Sequence, residues 1–253
     1  MKPLKPFFSY YGSKHRLSKK YHKPSKDILI EPFAGSACYS LHYPEKQVKL
    51  YDKYDVICGI WDYLIHAKET EILNLPIVDF DKSVDDYEIC QEAKYLIGFW
   101  LASTRTVPPK KHTSRSKKLF ELNRRLCNWT EENRYKIASQ LQHIRHWTIE
   151  QKSYEQIDNE EATWFIDPPY QVGGKMYKET SKNIDFEHLG NWCKERLGEV
   201  IVCESDNANW LPFETFSTIL NTQKKKSLEC VYYQGFDCLE SEHQAIAKQL
   251  TLF

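Results

Sequence analysis

No run of apolar residues in this 253-residue chain approaches the roughly 20 needed to cross a bilayer. The N-terminus, Met1-Lys2-Pro3-Leu4-Lys5, has no apolar stretch of the secretory-signal kind. A cytoplasmic protein is the expectation. No C-x-x-C pair occurs among the eight cysteines, Cys38, Cys58, Cys90, Cys127, Cys193, Cys203, Cys230 and Cys238. In a cytoplasmic chain they read as free thiols packed as small hydrophobes. His143 and His146 sit three apart, but among Leu141, Ile144 and Trp147, so no metal is expected. There is no G-x-G-x-x-G, which argues against a dinucleotide oxidoreductase. No internal repeat and no low-complexity tract is present.

What is present suffices for one large domain, or for a core domain with an insert. Apolar residues make up 41%, enough for a real core. Net charge is zero but uneven. Residues 1–26 carry +8 and residues 103–125 carry +7, leaving −15 for the rest. Basic patches on a neutral chain point to a polyanion held at a defined place.

Residues 27–31 read as a short buried strand running into the turn Pro32-Phe33-Ala34-Gly35-Ser36. Residues 47–52 alternate Val48, Leu50 and Asp52, a second strand ending on an acid. Ile57, Ile60, Trp61, Leu64 and Ile65 fall on the helical period. The first third is therefore the start of a parallel α/β sheet. Residues 86–150 differ. A helix is predicted through Ile89, Ala93, Leu96, Ile97 and Trp100, and another near Glu131–His143. Between them, Ser103 to Lys118 is rich in Ser, Thr, Pro and Lys and reads as a basic loop outside the core. The α/β pattern resumes with a strand at 162–167. A helix through Phe186, Leu189 and Cys193 follows, with Asp185 as N-cap and Gly198 as its stop. Glu199–Cys203 is a buried strand; Thr215–Leu220 and Leu228–Tyr233 read as closing strands.

The sharpest motif is Asp167-Pro168-Pro169-Tyr170, directly after a buried strand. Ligands of a doubly wound sheet bind beyond the carboxyl ends of its strands. Two prolines make this turn stiff. It holds a carboxylate, a carbonyl and an aromatic ring in one arrangement, which suits the chemistry of an exocyclic amine. Adenine N6 is a poor nucleophile because its lone pair is delocalised into the ring. The Asp167 side chain and the Pro168 carbonyl can accept its two N–H groups and stabilise charge developing on nitrogen. Tyr170 can stack on an extruded base.

Two weaker motifs accompany it. In Glu31-Pro32-Phe33-Ala34-Gly35-Ser36-Ala37, small residues let a ligand approach the backbone. Glu31 can hold a ligand ammonium, and Asp52 ends the next strand where an acid can accept both ribose hydroxyls. Near the start, Phe8-Ser9-Tyr10-Tyr11-Gly12-Ser13-Lys14-His15-Arg16 places aromatics, a glycine and a lysine where they can cover a cofactor and meet its carboxylate.

Together these motifs resemble those of the Dam-like DNA adenine N6-methyltransferases, especially the short phage and mobile-element members. That family's N-terminal motif, an aromatic then Gly-Gly-Lys, is matched by Tyr10-Tyr11-Gly12-Ser13-Lys14. Its Glu-Pro-Phe-x-Gly motif is matched by Glu31 to Gly35, its ribose acid by Asp52, and its catalytic tetrapeptide by Asp167 to Tyr170. Val200-Ile201-Val202-Cys203-Glu204 and Trp210-Leu211-Pro212-Phe213 are also similar, and the likeness spans about residues 5–233. Ser13 and Ala37 depart from it, each replacing a glycine.

The resemblance implies a Rossmann-like S-adenosylmethionine-dependent methyltransferase sheet with a helical target-recognition insert. Residues 1–85 and 151–253 would form the catalytic domain and 86–150 the insert. Tyr10, Lys14, Asp52 and Asp167 would line the cofactor, with Phe33 and Gly35 beneath it. Transfer would be direct and in line, without metal or covalent intermediate. No Pro-Cys dipeptide occurs, so the nucleophile of cytosine-C5 enzymes is missing. Double-stranded DNA is the expected partner. Arg105, Lys110, Lys111, Arg115, Lys117 and Lys118 of the insert are the expected nucleic-acid contacts. An alternative is an RNA base methyltransferase, because D-P-P-Y also serves some ribosomal-RNA enzymes. Another is a domain that binds the cofactor and DNA without chemistry.

The chain ends Gln249-Leu250-Thr251-Leu252-Phe253. This is similar to the Gln-Leu-[Ser/Asp]-Leu-Phe peptide by which bacterial polymerases and repair proteins dock on the sliding clamp. Leu250, Leu252 and Phe253 would be the anchors and Gln249 an orienting hydrogen bond.

Overall fold

The structure, a computed structural model, describes residues 2–102, 105–121, 129–220 and 226–236. The strands are β1 (Ile28–Glu31), β2 (Gln47–Asp52), β3 (Thr148–Gln151), β4 (Ala162–Ile166), β5 (Gly198–Ser205), β6 (Glu214–Leu220) and β7 (Lys226–Gln234). They form one sheet in the order β3-β2-β1-β4-β5-β7-β6. The first five are parallel; β7 runs antiparallel between β5 and β6. This is a mostly parallel α/β sheet of Rossmann-like type. Its strand order reverses between β1 and β4, where such sheets open a crevice at their carboxyl ends.

Alternation along the strands explains the layering. In β4, Phe165 faces one cluster while Trp164 and Ile166 face the other. In β5, Ile201 and Cys203 oppose Val200 and Val202 in the same way. Both faces are apolar, as a sheet covered on both sides requires. One face is covered by the N-terminal segment with its short α1 (His15–Ser18), by α2 (Asp55–His66) and by α4 (Gln91–Leu101). The other is covered by α7 (Phe186–Lys194), whose Leu189, Trp192 and Cys193 are buried. Asp185 caps α7 by accepting the His188 N–H at 3.0 Å.

The remaining helices are α3 (Glu69–Asn74), α5 (Ser114–Glu121) and α6 (Glu131–Ala138). α4 packs on α2 and shares its core, and α3 packs on α6. The described residues of 86–150 thus carry three helices, but the last of these residues already belong to β3.

Three sequence readings are corrected. Gly198 does not stop α7: the helix ends at Lys194, and Gly198, at φ +93°, opens β5. A Cβ there would meet the Ala162 carbonyl at 2.3 Å, so the glycine serves the β4–β5 contact. The basic stretch is helical from Ser114, because the Thr113 hydroxyl accepts the Ser116 N–H at 3.1 Å and starts α5. Cys90 is exposed rather than packed inside, whereas Cys38, Cys193, Cys203 and Cys230 are buried thiols. No helix among the described residues is long and apolar enough to cross a membrane.

Candidate active site

Three adjacent strands deliver acids to one place. β2 ends on Asp52, β1 ends on Glu31, and Asp167 follows β4 directly. Between them a cleft opens to solvent. Tyr10, Lys14, Glu31, Phe33, Gly35, Asp52 and Asp167 all line it.

The loop after β1 is shaped by its small residues. Gly35 lies at φ +46°, and a Cβ there would sit 3.2 Å from the Tyr10 ring. Tyr10 therefore closes over this loop. The Gly35 N–H donates to Asp52 Oδ2 at 3.0 Å, and its carbonyl accepts the Trp61 Nε1–H at 2.8 Å. Ala37 adopts φ +47°, a conformation that favours glycine. Gly12 is at φ +76°, where a Cβ would sit 2.0 Å from the Tyr177 hydroxyl.

Asp52 Oδ1 accepts the Tyr54 N–H at 2.9 Å. Burial pushes its carboxyl up to about 6, against the N–H donors of Tyr54 and Gly35. Glu31 is buried and accepts the Ser40 N–H at 2.8 Å. Burial raises it to about 8, opposed by the Ser40 hydroxyl and N–H. Glu31 is therefore poised to ionise when a cation arrives.

At the floor, Lys14 Nζ donates to Asp167 Oδ1 at 2.6 Å. Burial would lower the lysine, but Asp167 and then Glu229 outweigh it and hold Lys14 as an ammonium. Burial raises Asp167, and Lys14 opposes that rise. Asp167 Oδ2 has no hydrogen-bond partner among the described residues.

Pro168 and Tyr170 stand apart from the cleft. Pro168 is buried, and Pro169 is the proline that lines the cleft. Tyr170 donates its hydroxyl to Glu229 Oε1 at 2.7 Å, and Lys14 Nζ lies 4.5 Å from its ring centroid.

Sequence reasoning missed Glu229 and Tyr177. Glu229 is buried in β7, accepts the Tyr21 hydroxyl at 3.0 Å and lies 3.6 Å from Lys14 Nζ. Its only signal was a carboxylate inside the apolar run Leu228-Glu229-Cys230-Val231. Tyr177 lines the cleft and packs on Tyr10 and Tyr11, with ring centroids 6.2 and 5.3 Å apart. It follows an aperiodic loop, where no hydrophobic pattern marks it.

No family model and no curated protein matches the chain. Among solved structures it is similar to the crystal structure of a "putative methylase" from Haemophilus influenzae. That match has 10% identity, a TM-score of 0.34, and covers 88% of this chain and 85% of that one. At that distance function has to be read from the site itself.

The basic residues of the insert lie away from the cleft lining. Arg105, Lys111 and Lys118 are exposed and Lys117 is half-buried; the Arg115 side chain lies outside the described residues. Lys110 is paired with Asp85 at 2.7 Å. The Arg105 carbonyl accepts the Tyr11 N–H at 3.1 Å, tying the start of the basic loop to the mouth of the site. His146 Nε2 is engaged by the Lys46 carbonyl at 3.0 Å. Gln249, Leu250, Leu252 and Phe253 lie outside the described residues.

Proposed function

We propose that this chain transfers a methyl group from S-adenosylmethionine to the N6 amino group of adenine in double-stranded DNA at a specific sequence. The observation that carries the reading is the convergence of Asp52, Glu31 and Asp167 on one cleft. There Asp167, in its D-P-P-Y turn, is paired with Lys14 and keeps one oxygen open.

The residues fit the cofactor. Asp52 supplies a carboxylate for two ribose hydroxyls, Glu31 one for an ammonium, and Tyr10 and Phe33 supply aromatic surface. S-adenosylmethionine brings an electrophilic methyl group. Every other task falls to the chain. Lys14 holds the charge of Asp167 against burial. Asp167 Oδ2 accepts an N–H group of the target amine. Its charge stabilises positive charge as it develops on nitrogen, which is where preorganised electrostatics act most strongly. The Glu229–Tyr170 hydrogen bond fixes the Tyr170 ring beside Lys14.

Cofactor affinity should fall as pH drops through about 6, because Asp52 is protonated there and loses its capacity as a double acceptor. Calorimetric titration of wild type and Asp52→Asn checks this. The variant should bind weakly with no step near that pH.

The insert should hold phosphate. Neutralising Lys111, Lys117 and Lys118 should weaken DNA binding and flatten its salt dependence, by roughly 0.9 in slope for each phosphate no longer neutralised. Lys110 should contribute less, since Asp85 already pairs with it. Cofactor affinity should not change. A salt slope equal to wild type would show these side chains to be solvated surface.

Incubation with labelled S-adenosylmethionine and either duplex DNA or ribosomal RNA tests the reading. Label is expected in DNA as N6-methyladenine. Label in RNA alone would favour the ribosomal-RNA alternative. Docking on a sliding clamp by Gln249, Leu250, Leu252 and Phe253 is a separate proposal. Deleting residues 249–253 would test it by pull-down.

A further inference from the structure

The loop from Tyr170 to Tyr177 has an unusual surface. Among the described residues, the exposed large apolar side chains are Ile77, Val107, Tyr135, Val172, Met176 and Leu197. Two of these six, Val172 at 55% and Met176 at 66%, sit four residues apart immediately after the D-P-P-Y turn. Lys175 and Lys178 beside them are exposed and make no ion pair among the described residues. The apex is thus apolar at its tip and cationic at its flank.

It is also held firmly at both ends. The Gln171 N–H donates to Glu204 Oε2 at 2.9 Å, and the Gly174 N–H to the Tyr170 carbonyl at 3.0 Å. Gly174 is packed so closely that a Cβ would meet the Pro169 carbonyl carbon at 2.7 Å. Tyr177 closes the loop against Tyr11. This packing buries Gly174 yet leaves Val172 and Met176 in water, so the folding of the loop does not account for them. Two exposed apolar side chains with two unpaired lysines on one anchored loop beside the cleft suit a partner that is both apolar and anionic.

We infer that Val172 and Met176 form a wedge that enters the base stack of duplex DNA when the target adenine is extruded, with Lys175 and Lys178 against the flanking phosphates. The inference rests on the DNA reading above. Extruding a base costs a few kcal/mol of pairing and stacking and leaves a gap. Apolar side chains, methionine among them, fill such gaps between base steps. Placement next to the motif that receives the base lets one loop both vacate and fill the position.

The test compares wild type, Val172→Ala/Met176→Ala and Met176→Leu on two duplexes of the mapped target sequence. In one the target adenine is paired; in the other it faces an abasic site. A further paired duplex carries 2-aminopurine at the target position. The double variant should lose most of the fluorescence rise on binding and about tenfold or more of transfer on the paired duplex, since stacking must now be broken unaided. Transfer should return to within a few-fold of wild type opposite the abasic site, and Met176→Leu should behave as wild type. Equal losses on both duplexes, or no loss on either, would overturn the wedge while leaving the DNA reading intact. A wild-type protein inactive on both duplexes would overturn the DNA reading and the wedge with it.

Discussion

Asp167→Ala is expected to abolish methyl transfer while leaving the protein folded. The substitution removes the charged acceptor of the target amine and the 2.6 Å partner of Lys14. Removing one preorganised group at the reacting atom typically costs about 100- to 1,000-fold in rate. Depriving the lysine of its partner should push the effect to the upper end. The fold survives because Glu229 stays within 3.6 Å to balance Lys14. Single-turnover transfer together with circular dichroism checks both halves. Activity within a few-fold of wild type would remove Asp167 from the chemistry. Tyr170→Phe should retain partial activity because it keeps the ring and loses only the Glu229 anchor, whereas Tyr170→Ala should be severely impaired.

Lys14→Ala should have the largest effect on stability. It leaves the half-buried Asp167 and the buried Glu229 without their cation. Breaking a fully buried ion pair from one side costs about 3–5 kcal/mol, and the partial exposure of Asp167 should place this cost toward the lower end. The deficit should depend on pH in a definite direction. Both carboxylates are raised by burial, and Lys14 opposes that rise. Without Lys14 they rise further. An acid whose folded value exceeds its unfolded one contributes stability that is present below the unfolded value. That stability is lost as pH rises through the folded value. The deficit relative to wild type should therefore be greatest above neutrality and shrink toward about pH 5. Denaturant midpoints at about pH 5 and about pH 8 measure it. A deficit of equal size at both would show that the ion cluster is not its cause.

The acids that build the site were legible because each closes an apolar strand. Asp52 ends an alternating run and Asp167 a continuous one, so local pattern and chemistry coincide there. The N-cap at Asp185 was legible for a similar reason: the signal is local and its hydrogen bond spans three residues. β3 was invisible. Thr148-Ile149-Glu150-Gln151 is an exposed edge strand with one half-buried apolar residue, so no hydrophobic pattern exists to read. Gly198 was misread because a glycine after a helix usually ends it, whereas this one is dictated by close approach to Ala162. Glu229 lies more than 200 residues from Lys14 and Tyr21. Only the β5–β7 pairing brings it to the site.

Methylation of adenine in duplex DNA at a defined sequence is the central property proposed for this cleft. Expression of the chain in a host free of DNA methylation, followed by modified-base sequencing of its genome, tests that property most directly. The predicted result is N6-methyladenine at one short recurring sequence, absent when Asp167→Ala is expressed instead. A genome without modified adenine, from cells containing soluble wild-type protein, would contradict it.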